Sequence, residues 1–367
     1  MQFGLSESQQ ILKNNARKFF AAECPMAEVR RVMETETAHD DKLWAKMAEQ
    51  GFLGVIYPED AGGLGLGHVE LAALAEEMGR ALVPGAWLAT LLAGAAIDAA
   101  GSKKHLAEIA SGHKKGTFAL LEASGSWDPH AVQMPALTGE KLFVPDAGVA
   151  DFLVVAARKG GDLALYIVDA KPVDAKSVTT TLMPGMDLTR RLYKVKFDNA
   201  PGELLAQGSA ALAAIEKALD VATVALCAEM TGGMQRTLDL AVEYAKTRKQ
   251  FGKPIGQYQA VQHQCADMLV WTESSRSAAY GAAWALTEGV PDAKSAVSVA
   301  KVYASDACRE VGNRGVQVQG GMGFTWENDV HLFYRRAKAS EICFGDASYH
   351  RERIARLVID CAAVASA

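Results

Sequence analysis

Apolar side chains recur every three or four residues between residues 3 and 112, a spacing typical of amphipathic helices. Ser6 and Gln9 have the spacing of a capping box, so we expect the first helix to begin just after Ser6. The run GFLGVIYPEDAGGLG at residues 51–65 interrupts this pattern with glycines and a proline, and it predicts a loop. The sequence therefore predicts an all-helical first domain over residues 1–115.

The pattern changes near residue 116 to short apolar or alternating runs separated by Gly and Pro, which indicates β-strands. The clearest runs are 117–121, 152–157, 163–168 and 193–197. The segments between them lack a periodic stretch of helix length, so a parallel sheet with helical crossovers is not favoured. We expect a small antiparallel β-barrel or sandwich over residues 116–206.

The helical period returns after residue 207 in long segments rich in Ala, Leu and Glu. The predicted helices span about 209–247, 257–288, 292–318 and 347–364. Four long helices with short connections predict a four-helix bundle over residues 207–367. The predicted fold class is thus α+β and multidomain, with a helical domain, a β domain and a helical bundle in that order.

Composition and charge argue against nucleic-acid-binding, secreted and membrane proteins. The 367 residues are 50% hydrophobic and 22% charged, as in an ordinary globular protein, and the formal net charge is -5. Without a Lys/Arg-rich run, nucleic acid is not an expected partner. The opening MQFGLSESQQ lacks a basic flank followed by an apolar run, so no secretory signal is expected. The apolar run from Trp87 to Ile97 is too short to cross a bilayer, so no membrane association is expected.

The spacing of cysteine and histidine indicates neither a disulfide framework nor a metal site. The six cysteines never form a Cys-x-x-Cys pair, and the eight histidines never fall at His-x-x-x-His. We expect free thiols in a reducing cytoplasm and no bound metal.

Two segments of the predicted bundle contain residues suited to binding a nucleotide. The first is YAKTRKQFGKPI at residues 244–255, in which Arg248 offers the planar fork of donors that a pyrophosphate accepts. Phe251 in the same run could pack on an adenine. The second is QVQGGMGF at residues 317–324, whose glycines let backbone N–H groups approach a phosphate or ribose closely.

Each segment taken alone also has a simpler interpretation. Arg248 and Lys249 suit a solvated helix end, and the glycine turn suits a helix C-cap. Neither segment has the Gly-x-Gly-x-x-Gly pattern after a strand, so a Rossmann nucleotide site is not predicted.

Found together, and with GVIYPEDAGG at residues 54–63, these segments resemble the acyl-CoA dehydrogenase family of flavoproteins. The resemblance extends over nearly the whole chain in a matching domain order. It implies FAD as cofactor, an acyl-CoA substrate, an oligomer, and electron-transfer flavoprotein as the electron acceptor. It also implies FAD contacts by Arg248, Phe251, Gln259, Gln317, Gly320 and Gly321.

The sequence departs from the family at the residues that serve a subunit's own flavin. The family's chemistry needs a carboxylate base, and Phe344 stands at the usual Glu position. In a minority of members the Glu lies on the first bundle helix, where this chain has Ala222. The runs that seat the flavin ring correspond to residues 121–123 and 143–145, which lack the family's hydroxyls, and Pro145 also lacks an N–H donor.

Three hypotheses follow for function. In the first, the chain resembles the small subunit of heteromeric acyl-CoA dehydrogenases: a related partner completes the flavin site, and the acyl group is bulky or dicarboxylic, as in steroid side chains or pimeloyl-CoA. In the second, the chain forms a self-sufficient homo-oligomer with Asp346 as base, although Asp346 also suits a helix N-cap and Glu122 is a weaker candidate. In the third, it is an inactive scaffold subunit. Residues 189–191, TRR, suit either a CoA phosphate or a solvated turn.

Overall fold

A computed structural model describes residues 4–170 and 177–360, which form two compact units. The helical unit comprises the described residues up to Val29, His68–Val83, and those from Thr223 onward. The mixed unit comprises Arg30–Gly67 and Pro84–Ala222. The predicted domain boundaries after residues 115 and 206 remain predictions.

The helical unit contains a bundle built around one central helix, α9, against which α8, α10 and α11 pack. Its helices are α1 (Glu7–Glu23), α4 (His68–Ala81), most of α7 (Ser209–Thr247), α8 (Gln259–Glu288), α9 (Ala293–Gln319), α10 (Val330–Ile342) and α11 (Ala347–Ala355). The predicted capping box is confirmed, because the Ser6 hydroxyl accepts from the Gln9 N–H while the Gln9 side chain accepts from the Ser6 N–H. α10 is absent from the predicted helices, and residues 361–364 of the last one lie outside the described residues.

The mixed unit contains two small sheets and shorter helices. Its helices are α2 (Met26–Met33, which begins in the other unit), α3 (Asp41–Glu49), α5 (Trp87–Ala99) and α6 (Leu106–Ala110). The strands are β1 (Gly116–Ala119), β2 (Gly139–Pro145), β3 (Phe152–Lys159), β4 (Asp162–Asp169), β5 (Val178–Met183), β6 (Leu192–Phe197) and β7 (Glu203–Gln207). The sheet orders are β1-β3-β4-β7 and β2-β6-β5. Buried side chains of both sheets form one core, including Val144, Leu153, Val155 and Phe197.

The predicted antiparallel arrangement is confirmed for the described strand pairs of these sheets other than β1 with β3. Gly116 pairs with Phe152 and Ala119 with Val155, in parallel register. The chain leaves β1, forms β2 in the other sheet and re-enters beside β1 in the same direction. A second sheet thus replaces the crossover helix that a parallel pair usually needs.

No helix in the described part of the chain combines the length and apolar character needed to span a bilayer.

Two glycines let helices α4 and α7 cross in direct backbone contact. A Cβ on Gly79 would lie 1.9 Å from the carbonyl oxygen of Glu229, and one on Gly232 would lie 1.8 Å from that of Glu76. No side chain larger than hydrogen fits at either position without separating the helices. The crossing therefore fixes the distance between α4 and α7.

A buried charged network joins α4 to α1 and α8. Glu76 on α4 forms an ion pair with Lys13 on α1, accepts from Arg276 at 3.0 Å and accepts from the Tyr280 hydroxyl at 2.8 Å. The adjacent Glu77 binds Arg17 through two hydrogen bonds of 2.7 and 2.8 Å. Because these buried carboxylates are paired and hydrogen-bonded, their desolvation is offset.

We predict that Gly79→Ala or Gly232→Ala lowers the free energy of unfolding by about 3 kcal/mol, because the added methyl group forces the two helices apart. The matched control is Gly281→Ala on α8, where an added Cβ has nothing within 4 Å. That change should stabilise the protein by up to about 1 kcal/mol. Chemical denaturation measures all three variants, and equal effects at the three positions would contradict the proposed crossing.

Candidate functional site

A β-hairpin with a two-residue turn follows α7 and lies within the first predicted segment. Lys249–Gln250 pair with Lys253–Pro254, and Phe251 and Gly252 form the tip. Both tip residues have positive φ, 51° and 85°. The Phe251 side chain is 93% exposed. The hairpin therefore presents a large apolar ring to solvent.

Arg248 lies between α7 and this hairpin with a fixed backbone and an unengaged side chain. Its N–H donates to the Tyr244 carbonyl at 2.8 Å, and its carbonyl accepts from the Ile255 N–H at 2.9 Å. The guanidinium is exposed and makes no hydrogen bond or ion pair with any residue in the described ranges. It is thus available to an anion from outside the chain.

The glycine turn at the end of α9 carries the second predicted segment. Gly320 adopts φ 60° and its N–H donates to the Gln317 carbonyl, so the C-cap interpretation is correct. An added Cβ on Gly320 or Gly321 would meet nothing within 4 Å, which leaves open space beside the exposed backbone. The Gln317 side chain, like that of Gln259 on the first turn of α8, is exposed and makes no hydrogen bond within the described chain.

Several large apolar side chains are exposed in the helical unit, close in sequence to these segments. They are Met322, Phe324 and Trp326 in and after the glycine turn, and Leu269 and Val270 on α8. With Phe251, they add considerable apolar surface to one unit of a single chain. Exposed apolar side chains mark a contact surface only where they form one contiguous patch.

In the mixed unit, Glu122 of the first predicted seating run is bound by residues outside both runs. Glu122 accepts from the Lys141 ammonium at 2.7 Å and from the N–H groups of Gln133 and Met134 at 2.9 and 3.0 Å. Burial opposes ionisation of Glu122, yet the hydrogen bonds from Lys141 and Met134 hold its pKa below the usual range. Lys141 is fully buried, and burial lowers its pKa to about 8. A carboxylate held in this way is poorly suited to act as a base.

The second seating run follows an irregularity in β2. The register with β6 shifts between Lys141 and Val144, and Phe143 adopts φ 53° with its side chain 44% exposed. The carbonyl of Pro145 accepts from the Thr117 hydroxyl at 2.5 Å. The Thr117 hydroxyl is therefore already engaged, and Pro145 itself offers no N–H.

The turn between α10 and α11 contains the position of the family's usual base. Phe344 adopts φ 60° there, and its side chain is only 4% exposed. The carbonyl of Phe344 accepts from the buried His350 ring at 3.0 Å. Asp346 is exposed, and its carboxylate accepts from the Tyr349 N–H at 2.8 Å. The N-cap role expected for Asp346 is confirmed by this geometry, and its role as a base remains a prediction.

Lys301 on α9 holds this turn in place, and no sequence pattern indicated this role. Its fully buried ammonium donates to the carbonyls of Ser340, Glu341 and Gly345 at 3.2, 2.9 and 3.0 Å. Burial lowers the pKa of Lys301 below its usual range. The charge lies at the C-terminal end of α10, where a cation interacts favourably with the last carbonyls of a helix.

No sequence pattern indicated the buried carboxylate of Glu229 on α7. Glu229 lies seven residues after the fully buried Ala222, which is about two helical turns. It accepts from the Arg336 guanidinium at 2.5 Å, and Arg336 also donates to the Val83 carbonyl at 3.2 Å. The pair lines a small apolar cavity of about 20 Å³, roughly the size of one water molecule. A paired carboxylate beside so small a cavity has a structural role.

Arg191 is held by the backbone of the mixed unit. Its guanidinium donates to four backbone carbonyls, those of Met33, Thr35, Glu36 and Leu188, at 2.7 to 3.0 Å. These hydrogen bonds engage most of its five N–H donors. The two alternatives for residues 189–191, a CoA phosphate site and a solvated turn, stay predictions.

Within the described ranges, no group of three or more His, Cys, Asp or Glu residues could hold a metal ion. Five cysteines are free thiols there, and Cys361 lies outside those ranges.

The buried His350 predicts a specific acid sensitivity. Burial lowers its pKa from 6.5 to about 4, so unfolding below pH 6.5 is accompanied by proton uptake. The contribution of neutral His350 to the free energy of unfolding is fully present above pH 6.5 and is lost as the pH is lowered towards 4. His350→Gln keeps a donor for the Phe344 carbonyl and should reduce proton uptake on unfolding by about one in this window. Urea denaturation at several pH values measures it, and an unchanged pH slope would refute the assignment.

Comparisons with known proteins agree with the resemblance found in the sequence. Residues 6–113 match "Acyl-CoA dehydrogenase, N-terminal domain" and residues 212–359 match "Acyl-CoA dehydrogenase, C-terminal domain". The chain is 32% identical to acyl-CoA dehydrogenase IpdE2 of Mycolicibacterium smegmatis, over 96% of this chain and 98% of the relative. A solved Tcur3481-Tcur3483 steroid ACAD variant has a TM-score of 0.87 and 32% identity, covering 97% and 99% of the two chains. The ChsE4-ChsE5 complex of Mycobacterium tuberculosis has a TM-score of 0.87 and 27% identity, covering 97% and 98%. The chain therefore belongs to the acyl-CoA dehydrogenase family.

Proposed function

We propose that this chain is a subunit of an FAD-dependent acyl-CoA dehydrogenase and completes the flavin site of a related partner chain. One observation carries the proposal. The six predicted FAD contacts are all solvent-exposed in the single chain, whereas Glu122 at the chain's own flavin seat is bound by Lys141 and the backbone. The chain is thus equipped to contribute to a flavin site and poorly equipped to hold one.

The exposed residues fit the chemistry of a dinucleotide. The free guanidinium of Arg248 suits the charge of a pyrophosphate, and the exposed ring of Phe251 suits an adenine face. The open backbone at Gly320 and Gly321 suits close approach of a ribose or phosphate. Bound FAD supplies the acceptor for hydride from the β-carbon of the acyl thioester.

A partner chain must supply the catalytic carboxylate. Phe344 and Ala222, at the two positions where family members place the base, have side chains that take up no proton. Two solved relatives carry paired names, Tcur3481-Tcur3483 and ChsE4-ChsE5, and the second is described as a complex. These relatives support an assembly of two related chains, which as a dimer of dimers forms a heterotetramer.

The substrate in this proposal is a bulky or dicarboxylic acyl-CoA ester. The description of one relative as a steroid ACAD supports a steroid side chain as the acyl group. Electrons leave through an electron-transfer flavoprotein, and the assembly acts in lipid or steroid degradation in the cytoplasm.

A second candidate function is a self-sufficient homo-oligomeric acyl-CoA dehydrogenase with Asp346 as base. Its support is the exposed carboxylate of Asp346, two residues beyond Phe344. The third hypothesis, a scaffold subunit, predicts no flavin in any assembly that contains this chain.

Arg248→Gln should weaken FAD binding to the assembly of this chain with its partner by about ten- to a hundred-fold, because a charged hydrogen bond to the cofactor is lost. The adjacent Lys249→Gln is the matched control, since it removes the same charge from another exposed side chain that has no hydrogen bond or ion pair within the described chain. It should change binding less than about two-fold. FAD titration followed by fluorescence quenching measures both, and equal losses would indicate a non-specific charge effect and contradict the proposal.

Asp346→Asn separates the first candidate function from the second. Asn caps a helix about as well as Asp, so the free energy of unfolding should change by less than about 0.5 kcal/mol. Under our proposal, acyl-CoA turnover by the assembly is retained within about two-fold. Turnover reduced to background with unchanged stability would instead identify Asp346 as the base.

A further inference from the structure

The tip of the 249–254 hairpin contains a residue in a conformation that is unusual for its type. A two-residue turn with positive φ at both positions is normally formed by Asn-Gly or Asp-Gly. Here the pair is Phe251 and Gly252, at 51° and 85°. A bulky residue in the left-handed region is strained and persists only when its surroundings hold it there.

The surroundings that hold Phe251 are provided mainly by Tyr258. The Tyr258 hydroxyl lies 3.2 Å from the carbonyl oxygen of Gln250 and 3.4 Å from that of Phe251, so its one hydrogen is shared between the two carbonyls at the tip. Its ring meets the Phe251 ring edge-to-face, with centroids 6.5 Å apart. The Lys253 ammonium lies 4.4 Å from the centre of the same ring.

Tyr258 can hold the hairpin because its own backbone is part of a rigid helix end. It is the N-cap residue of α8. Its carbonyl accepts from the N–H groups of Val261 and Gln262 at 3.0 and 3.1 Å. The Gln262 side chain also donates to the Gly256 carbonyl at 2.9 Å, which closes the segment between hairpin and helix. The hairpin is thus anchored to a 30-residue helix through one aromatic side chain.

We propose that Tyr258 is a positioning residue that keeps Phe251 and Arg248 in the arrangement offered to the FAD of the partner chain. This inference rests on the proposed function. Without the hydroxyl and the ring, Phe251 relaxes to negative φ and its side chain leaves the tip. The cofactor must then order the hairpin when it binds, and affinity falls for that reason.

The first test needs no partner. Trypsin cleaves after Arg248 and Lys249, which both lie just before the tip, at a rate that depends on the order of the hairpin. Tyr258→Leu should raise that rate about ten-fold at an unchanged melting temperature, and Tyr258→Phe, which keeps the ring, should give an intermediate rate. Phe251→Asn should be cleaved as slowly as the wild type, because Asn tolerates positive φ. Wild-type cleavage of Tyr258→Leu would overturn the inference.

The second test uses the assembly purified through a tag on this chain from its native host. Tyr258→Leu should weaken FAD binding about ten-fold, and Phe251→Asn should weaken it equally in spite of its ordered hairpin. If the wild-type assembly lacks FAD, or if Arg248→Gln binds FAD normally, the proposed function fails. If those results hold while Tyr258→Leu binds FAD like the wild type, only the positioning role fails.

Discussion

The backbone contact between α4 and α7 is the constraint on which the helical unit depends. Gly79 and Gly232 leave no room for a side chain, so the two helices can approach in one arrangement only. The paired carboxylates Glu76 and Glu77 then bind cations from α1 and α8 and fix those helices as well. From Gly232, α7 continues to Thr247, roughly 22 Å as a helix. The direction of this rod determines where Arg248 and the hairpin are presented.

Two buried lysines, Lys141 and Lys301, are a second feature on which the structure depends. Lys141 binds Glu122 at the predicted flavin seat, and Lys301 binds the carbonyls of the turn that contains Phe344. Each places a charge inside the protein and satisfies it with polar groups of the same unit. Both positions that would serve a subunit's own flavin chemistry are consequently rigid and internally satisfied. Free polar groups occur instead at Arg248, Gln259 and Gln317 on the surface.

Much of this organisation could be predicted from the sequence. Long periodic segments located α7, α8 and α9 to within two residues, because a helix of that length repeats its pattern many times. The sequence patterns did not predict α10, which is short and polar. They also did not predict β2, β5 and β7, because few residues of these strands alternate between apolar and polar. Register is set by sheet pairing, so the parallel contact of β1 with β3 could not be foreseen.

Candidate functional residues show the same difference between local sequence patterns, which could be predicted, and long-range contacts, which could not. Motif spacing predicted FAD contacts at Arg248, Phe251 and the glycine turn, because the residues of each motif lie close together in sequence. The roles of Lys301, Arg336 and Arg191 depend on contacts with residues at least 39, 107 and 155 positions away. Lys301 and Arg191 also have local contacts, with Ser305 and Leu188. Periodicity carries no information about the long-range contacts. The role proposed for Tyr258 likewise depends on contacts seen only in the hairpin geometry.

The absorbance spectrum of the purified chain, alone and in complex with its partner, shows whether this chain holds a complete flavin site. We predict little flavin absorbance from the chain alone and about one FAD per pair of chains in the complex. Near-stoichiometric FAD on the isolated chain would contradict it, because that result requires a complete flavin site built from this sequence only.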